Sequence, residues 1–329
     1  MALAFTLPTR GAPPPSVVAR YAAMAEERSY DAVMVTETHS DVFLYAAACA
    51  LATERVAIGT AIANVGLRHP GLMALSATEV DELSGGRFLL GIGLGTQWFT
   101  RAGAGVARER PLAALREYIA LMRALWRGAS SYHGECYELH DFPMDFTPRR
   151  PAVPVFLAAM GAQMCRLAGA VADGVHLGLV PLEHLPEAIG HVTAGAREAG
   201  RDPAAVAIAC ILRVCLDDDL ERAREAARAS LPLYLRFDGY ARFFRGLGYQ
   251  GMVDSVRAAL ARGDVLGAAR QVPDDLVEQT TVYGDAARCC ARLEAYRRAG
   301  VQLLRIAPHP VGVSWHEAVQ RTMDALAPG

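Results

Sequence analysis

The stretch SGGRFLLGIGLGTQWF, residues 84–99, decides how this chain folds. An apolar run, Phe88, Leu89 and Leu90, leads into Gly91, Gly93 and Gly95, as a strand opening onto a nucleotide phosphate would. A dinucleotide-binding turn needs G-x-G-x-x-G with a helix starting at the third glycine, so that the helix amides meet a pyrophosphate. Here Thr96 occupies the third-glycine position, and no helical pattern begins until about Glu109. The run is also the fourth apolar segment of the chain, whereas a dinucleotide turn usually follows the first. The alternative is a barrel strand whose C-terminal glycines let a flat cofactor approach the backbone. Plain interior packing that needs small side chains fits the same spacing equally well.

Working outward, short β-rich runs alternate with helical segments almost from end to end. Upstream lie a strand closing at Phe5, the helix SVVARYAAMAEERSY, the strand DAVMVTE, the helix DVFLYAAACALATE with Asp41 as its cap, the strand RVAIGTAIAN and the helix HPGLMALSATEVDELS. Downstream, Pro111 suits the first turn of PLAALREYIALMRALWR, and residues 130–150 read as an excursion with a hairpin. VPVFLAA, DGVHLGL and AVAIACILRVCL are strands five to seven. Residues 218–282 interrupt the rhythm with helical segments and no clear strand, and VQLLRIAP is the last strand. Units of this length make a parallel sheet, and eight of them close into a (β/α)8 TIM barrel of the α/β class. We therefore expect one barrel domain over residues 1–329, with a helical insertion before the last strand.

With 329 residues, 52% hydrophobic and 21% charged, the chain has ample material for such a core. No apolar stretch reaches the ~18 residues of a membrane span, and the opening residues lack a secretory pattern. A soluble, cytoplasmic protein is expected. The net charge of −2, with scattered basic residues, argues for a small-molecule partner over nucleic acid or a membrane surface. Every basic residue is arginine, which excludes Schiff-base catalysis and a Walker-type lysine. Seven cysteines without a C-x-x-C pair predict reduced structural thiols, and nine dispersed histidines predict no metal site. His133, Glu135, His140 and Asp141 cluster in a polar connection and read as solvated surface.

The segment YDAVMVTETHSDVFLYAAACALATERVAIGTAIANVGLRHPGLMALSATEVDELSGGRFLLGIGLG, residues 30–95, resembles the luciferase-like monooxygenase superfamily, with its R-H-P after strand three and L-S-G-G-R before strand four. PVFLAAMGAQMCRLAGAVADGVHLG and TTVYGDAARCCARLEAYRRAGVQLLRIAP resemble its fifth-strand and last-strand regions. VTETHSDVF and the helical insertion look most like the branch that uses coenzyme F420, a 5-deazaflavin. The resemblance implies a hydride-transferring oxidoreductase, with FMN-dependent monooxygenation or a non-catalytic flavin-binding barrel as alternatives, and it implies a homodimer.

Carried over residue by residue, the resemblance places a non-prolyl cis peptide at Ala61-Ile62, backing the cofactor ring. It puts the cofactor phosphate on the turn Ala159, Met160, Gly161 and Ala162 at a helix start, where free amides and the macrodipole favour an anion. Met160 stands where many relatives have glycine. Thr38, Asn64, Gly93, Gly95, Thr96 and Gln97 are the remaining cofactor-facing expectations. The family's usual histidine aligns with Thr38, which displaces His39 by one. His39 or Glu37 is the candidate for the substrate proton, and a structural hydrogen bond is the competing role. Tyr234, Phe237, Tyr240, Phe243 and Phe244 either line the substrate pocket or form a packed core or dimer face.

Overall fold

Each apolar run of the alternating pattern becomes a strand, and the eight strands pair in parallel until the last meets the first. The computed structural model describes residues 2–9, 11–38, 40–95, 110–142, 144 and 148–328. The barrel staves are β1 (Ala2–Thr6), β2 (Ala32–Val35), β3 (Ala57–Thr60), β5 (Phe88–Gly93), β8 (Val155–Ala159), β9 (Gly174–Gly178), β10 (Ala207–Leu216) and β12 (Leu303–Pro308). They pair in that order, and β12 closes on β1 through Ala2↔Leu303 to Phe5↔Ile306. β4 (Ala63–Asn64) continues the β3 path along β5, and β6 (Tyr132–His133) with β7 (Glu138–Leu139) forms the hairpin expected in the excursion.

Helices cover the barrel, and their starts are set by local chemistry. The Asp41 side chain accepts the Phe43 N–H to cap α2 (Val42–Ala52), while α3 (Pro70–Leu83) and α4 (Pro111–Trp126) begin at proline, whose missing N–H would have no helical partner there. The other covering helices are α1 (Pro15–Glu27), α5 (Ala162–Val171), α6 (Leu185–Glu198), α13 (Ala286–Arg298) and α14 (Trp315–Ala325). The main core lies between staves and helices, and a smaller cluster of Ala4, Ala32, Met34, Phe156, Ala209 and Leu303 fills the barrel itself.

The insertion differs from expectation in three ways. LERAREAARASLPLYLR breaks at Pro232 into α7 (Leu220–Ser230) and α8 (Pro232–Leu235), because a proline removes a helical donor and its ring crowds the preceding turn. One helix, α11 (Val265–Arg270), lies outside the helical segments read from the sequence, besides α9 (Asp238–Gly246), α10 (Gln250–Ala261) and α12 (Asp274–Thr280). The third difference is a strand, β11 (Thr281–Gly284), where none was expected. It pairs with residues 213–216, the far end of β10, beyond the reach of β9. All seven cysteines are free, and burial pushes the thiols of Cys49, Cys165, Cys210, Cys215 and Cys289 up to about 12, which keeps them protonated.

Candidate active site

Side chains alternate along a strand, so every second residue of each stave points into the barrel. Ala32, Met34, Phe156, Ala209 and Leu303 close its lower part. Toward the C-terminal ends the same inward series, Ala61, Ala158, Gly178, Ile211 and Arg213, is only half-buried, as are Thr36 and Met160 just beyond their strands. The barrel therefore opens a mouth at the end where TIM barrels carry their chemistry.

One wall of the mouth is a bulge between β3 and β4. The Ala61-Ile62 peptide is cis, as the resemblance implied. The Ala61 N–H is held by the Val35 carbonyl at 2.7 Å, and the Thr60 hydroxyl donates to the Gly91 carbonyl at 2.7 Å. Glu37, directly after β2, takes the Asn64 N–H on one carboxylate oxygen and Arg68 on the other. Arg68 also reaches Asp41 at 2.8 Å and stacks over the Phe43 ring. Burial works against the Arg68 charge, but Glu37 and Asp41 outweigh it and raise the guanidinium above its ordinary value. The Glu37 side chain is 2% exposed. This is the structural hydrogen-bonding arrangement that competed with a proton-carrying role.

The opening glycines serve this wall. A Cβ on Gly91 would sit 2.0 Å from the Thr60 carbonyl oxygen and 2.8 Å from His176 Nε2. One on Gly93 would press on Ala158 and Ile62, and Gly95, at φ +64°, has the Asn64 side chain 2.1 Å from its Cβ position. The geometry thus puts packing behind all three. The Asn64 amide is itself occupied, its Oδ1 accepting the Gly66 N–H at 2.8 Å.

On the next stave, β8 ends at Ala159 and α5 begins at Ala162 with Gly161 as its N-cap. Among the described residues, no side chain caps this helix, its first turn holds no acid, and nothing lies within 4 Å of a Cβ built on Gly161. Gly161, Ala162 and Gln163 are exposed. The result is an open set of unpaired amides at a positive helix end, suited to a phosphate. Ala159 packs in the outer core and offers only its backbone.

The insertion leans over the β8 and β9 side. A Cβ on Gly178 would lie 3.5 Å from the Tyr240 hydroxyl, and one on Gly239 lies 3.9 Å from Met160 Cε. Tyr234 packs on Tyr240, and Arg213 donates to the Tyr234 hydroxyl. These two tyrosines reach the mouth. Phe244 belongs to the insertion's own core, Phe243 packs against both cores, and Phe237 lies beneath Arg236. Thr38 stands at the rim with its hydroxyl 3.5 Å from that of Thr9. His39, Thr96 and Gln97 lie outside the described residues.

Sequence reasoning missed four polar residues that point into the barrel: Thr6, His176, Arg213 and Arg305. The signal was present, since a charged or polar residue at an inward position interrupts the apolar runs VHLG, ILRVC and LLRIAP. Burial, with the nearby Arg305 charge, holds His176 well below its ordinary value, and its ring donates to the Thr60 backbone.

The luciferase-like monooxygenase profile matches residues 1–303 of this barrel. The chain belongs to the luciferase-like monooxygenase family. Among its relatives is a 5,10-methylenetetrahydromethanopterin reductase of Methanolobus tindarius, 29% identical over 309 residues that cover 92% of this chain and 93% of the relative. A putative coenzyme F420-dependent oxidoreductase of Mycobacterium tuberculosis is 28% identical over 333 residues, covering 92% and 94%. In structure, this luciferase-like chain superposes on the coenzyme F420-dependent tetrahydromethanopterin reductase of Methanopyrus kandleri with a TM-score of 0.85 at 21% identity, covering 99% of this chain and 98% of that one. Among the described residues, no helix is long and apolar enough to cross a membrane, and no group of three or more His, Cys, Asp or Glu side chains could hold a metal ion.

Proposed function

We infer that this protein is an oxidoreductase that moves a hydride between coenzyme F420 and a small organic substrate. The observation that carries the reading is the pair of relatives named as a methylenetetrahydromethanopterin reductase and an F420-dependent oxidoreductase, each aligned over more than nine-tenths of both chains. The site fits such a cofactor in two places. The bulge at Ala61-Ile62 offers a flat backbone wall at the mouth, and the uncapped start of α5 offers amides to a phosphate.

When bound, the deazaflavin supplies the hydride chemistry at carbon five of its ring. The protein's part is to hold and orient. The bulge would back the ring, Gly161 and Ala162 would hold the phosphate on their amides, and Tyr234 and Tyr240 would shield the substrate from the insertion side. Glu37 acts by fixing the bulge through Asn64 and Arg68. His39 is the remaining candidate for the substrate proton.

A homodimer working on small molecules in the cytoplasm, without nucleic acid, completes the reading. Four leucines support the dimer: Leu44 and Leu51 on α2 are 65% and 74% exposed, and Leu72 and Leu83 on the adjacent α3 are 50% and 48% exposed. An apolar face of that kind is a common mark of an interface.

Titration of the purified protein with F420 and with FMN tests the reading. Saturable F420 binding with weak or no FMN binding is expected. Tight FMN binding without F420 binding would replace it with the FMN-dependent monooxygenase, and binding of neither would favour a non-catalytic barrel.

A further inference from the structure

Buried polar atoms normally find partners, and those that do not call for an explanation. Five such atoms here belong to inward-facing residues of the barrel: Thr6 Oγ1, His176 Nδ1, Arg213 Nε, and Arg305 Nε and Nη2. Arg305, in the middle of β12, is 3% exposed. Its free Nε and Nη2 form one edge of the guanidinium fork, the edge that grips a carboxylate through two parallel N–H bonds. Burial pushes this guanidinium down to about 10, so it keeps its charge at neutral pH. Among the described residues, the titratable groups near enough to act on it are the Tyr240 and Tyr234 hydroxyls, the neutral His176 and the Cys210 thiol on the outer face of β10, none of them a carboxylate. Its neighbour on the next stave, Arg213, spends Nη2 on Tyr234 and leaves Nε free. Among the described residues, neither arginine has an acidic partner. A buried charge without a counter-charge is costly, and a bound anion relieves that cost.

The position of this cluster matters as much as its charge. Counting round the barrel, β10 lies four staves from β3, on the wall opposite the cis bulge. A ring resting on the bulge would have the arginines across the mouth, on the substrate side.

We propose that Arg305 and Arg213 form a carboxylate-binding pair, so that the enzyme selects an anionic substrate bearing a carboxylate near the carbon that exchanges the hydride. Tyr234 holds Arg213 in place, and Tyr240 closes the pocket from the insertion. The proposal rests on the F420 reading for the word substrate, but the anion site itself stands on the arginines alone. The same carboxylate chemistry could come instead from an acidic group of the cofactor, and the experiment separates the two.

Calorimetric titration of the full-length protein, with and without F420, would use acetate and benzoate as probes, with acetamide and benzamide as neutral controls of the same shape. The carboxylates should bind and the amides should bind about tenfold more weakly or not at all. R305Q and R213Q should each weaken the carboxylates by about tenfold or more, while F420 affinity, followed by its fluorescence, stays within about twofold of wild type. Equal binding of acids and amides, or no binding of either acid, overturns the proposal; this comparison needs no variant, so a misfolded R305Q does not blunt it. Arginine variants that lose F420 affinity about tenfold, together with F420 excluding benzoate, assign the anion to the cofactor and overturn the substrate site. Arginine-dependent carboxylate binding by a protein that never binds F420 sustains the anion site and removes the cofactor reading.

Discussion

The Glu37 carboxylate lies 2.6 Å from Arg68 Nη1 and accepts the Asn64 N–H at 2.7 Å, so one buried side chain ties the end of β2 to the segment that follows the cis bulge at two points. Replacing it with glutamine keeps the shape but leaves Arg68, among the described residues, with the half-exposed Asp41 alone for counter-charge. Breaking one partner of a buried pair costs about 3–5 kcal/mol, and Asp41 should keep the loss of E37Q near the lower end. Urea denaturation should show that loss, with weaker F420 binding beside it. A variant as stable as wild type that had lost only turnover would return Glu37 to the role of proton carrier.

Gly91 and Gly161 give opposite outcomes on substitution. In G91A the new methyl meets the backbone carbonyl of Thr60, which has no flexible end to move aside, so a loss of about 3 kcal/mol or an insoluble product is expected. G161D meets open space and supplies the missing N-cap, which should raise stability by a few tenths of a kcal/mol to about 1 kcal/mol. Its carboxylate would occupy the place proposed for the cofactor phosphate, so F420 affinity should fall about tenfold or more. Thermal melts and F420 titration on the same preparation check both signs. A G161D protein with unchanged affinity would place the phosphate elsewhere.

These contrasts show what the sequence could carry. The eight-stave alternation was legible because apolar runs and helix caps are local signals, and Asp41, Pro70 and Pro111 sit where such signals put them. The reading of residues 84–99 as a barrel strand also rested on register. What the glycines touch was not legible, since Thr60 and Asn64 approach them from another stave. The helix Val265–Arg270 has only six residues, too few to show a period. Arg213 and Arg305 escaped because an arginine within an apolar run says nothing by itself about its partners; only the closed barrel shows that, among the described residues, Arg305 has none on its Nε and Nη2 edge.

The exposed leucines of α2 and α3 predict how the proposed dimer would fail. Leu44 and Leu51 are seven residues apart, two helical turns, and therefore share one face. L51E combined with L72E should convert a dimer to a monomer in sedimentation analysis without altering the barrel's circular dichroism, because neither side chain is in the core. A protein that is already monomeric, or one that stays dimeric with both charges in place, removes this face as the interface.

His176 gives a pH dependence whose sign follows from its burial. Desolvation and the nearby Arg305 charge hold its folded value well below the ordinary 6.5, with the Thr60 backbone bond pulling weakly the other way. Below about pH 6.5 the unfolded chain therefore binds a proton that the folded chain refuses, and stability falls with pH by up to about 1.4 kcal/mol per unit until the folded value is reached. The other histidines and the carboxylates also titrate in acid, so the test is a difference between two proteins. H176Q keeps a donor for the Thr60 carbonyl and has nothing to titrate. Between pH 6 and pH 5, wild type should lose about 1 kcal/mol more than H176Q in urea unfolding. Parallel curves for the two proteins would mean that His176 takes up its proton in the folded barrel, beside Arg305, and that an anion or water network there is already balancing both charges.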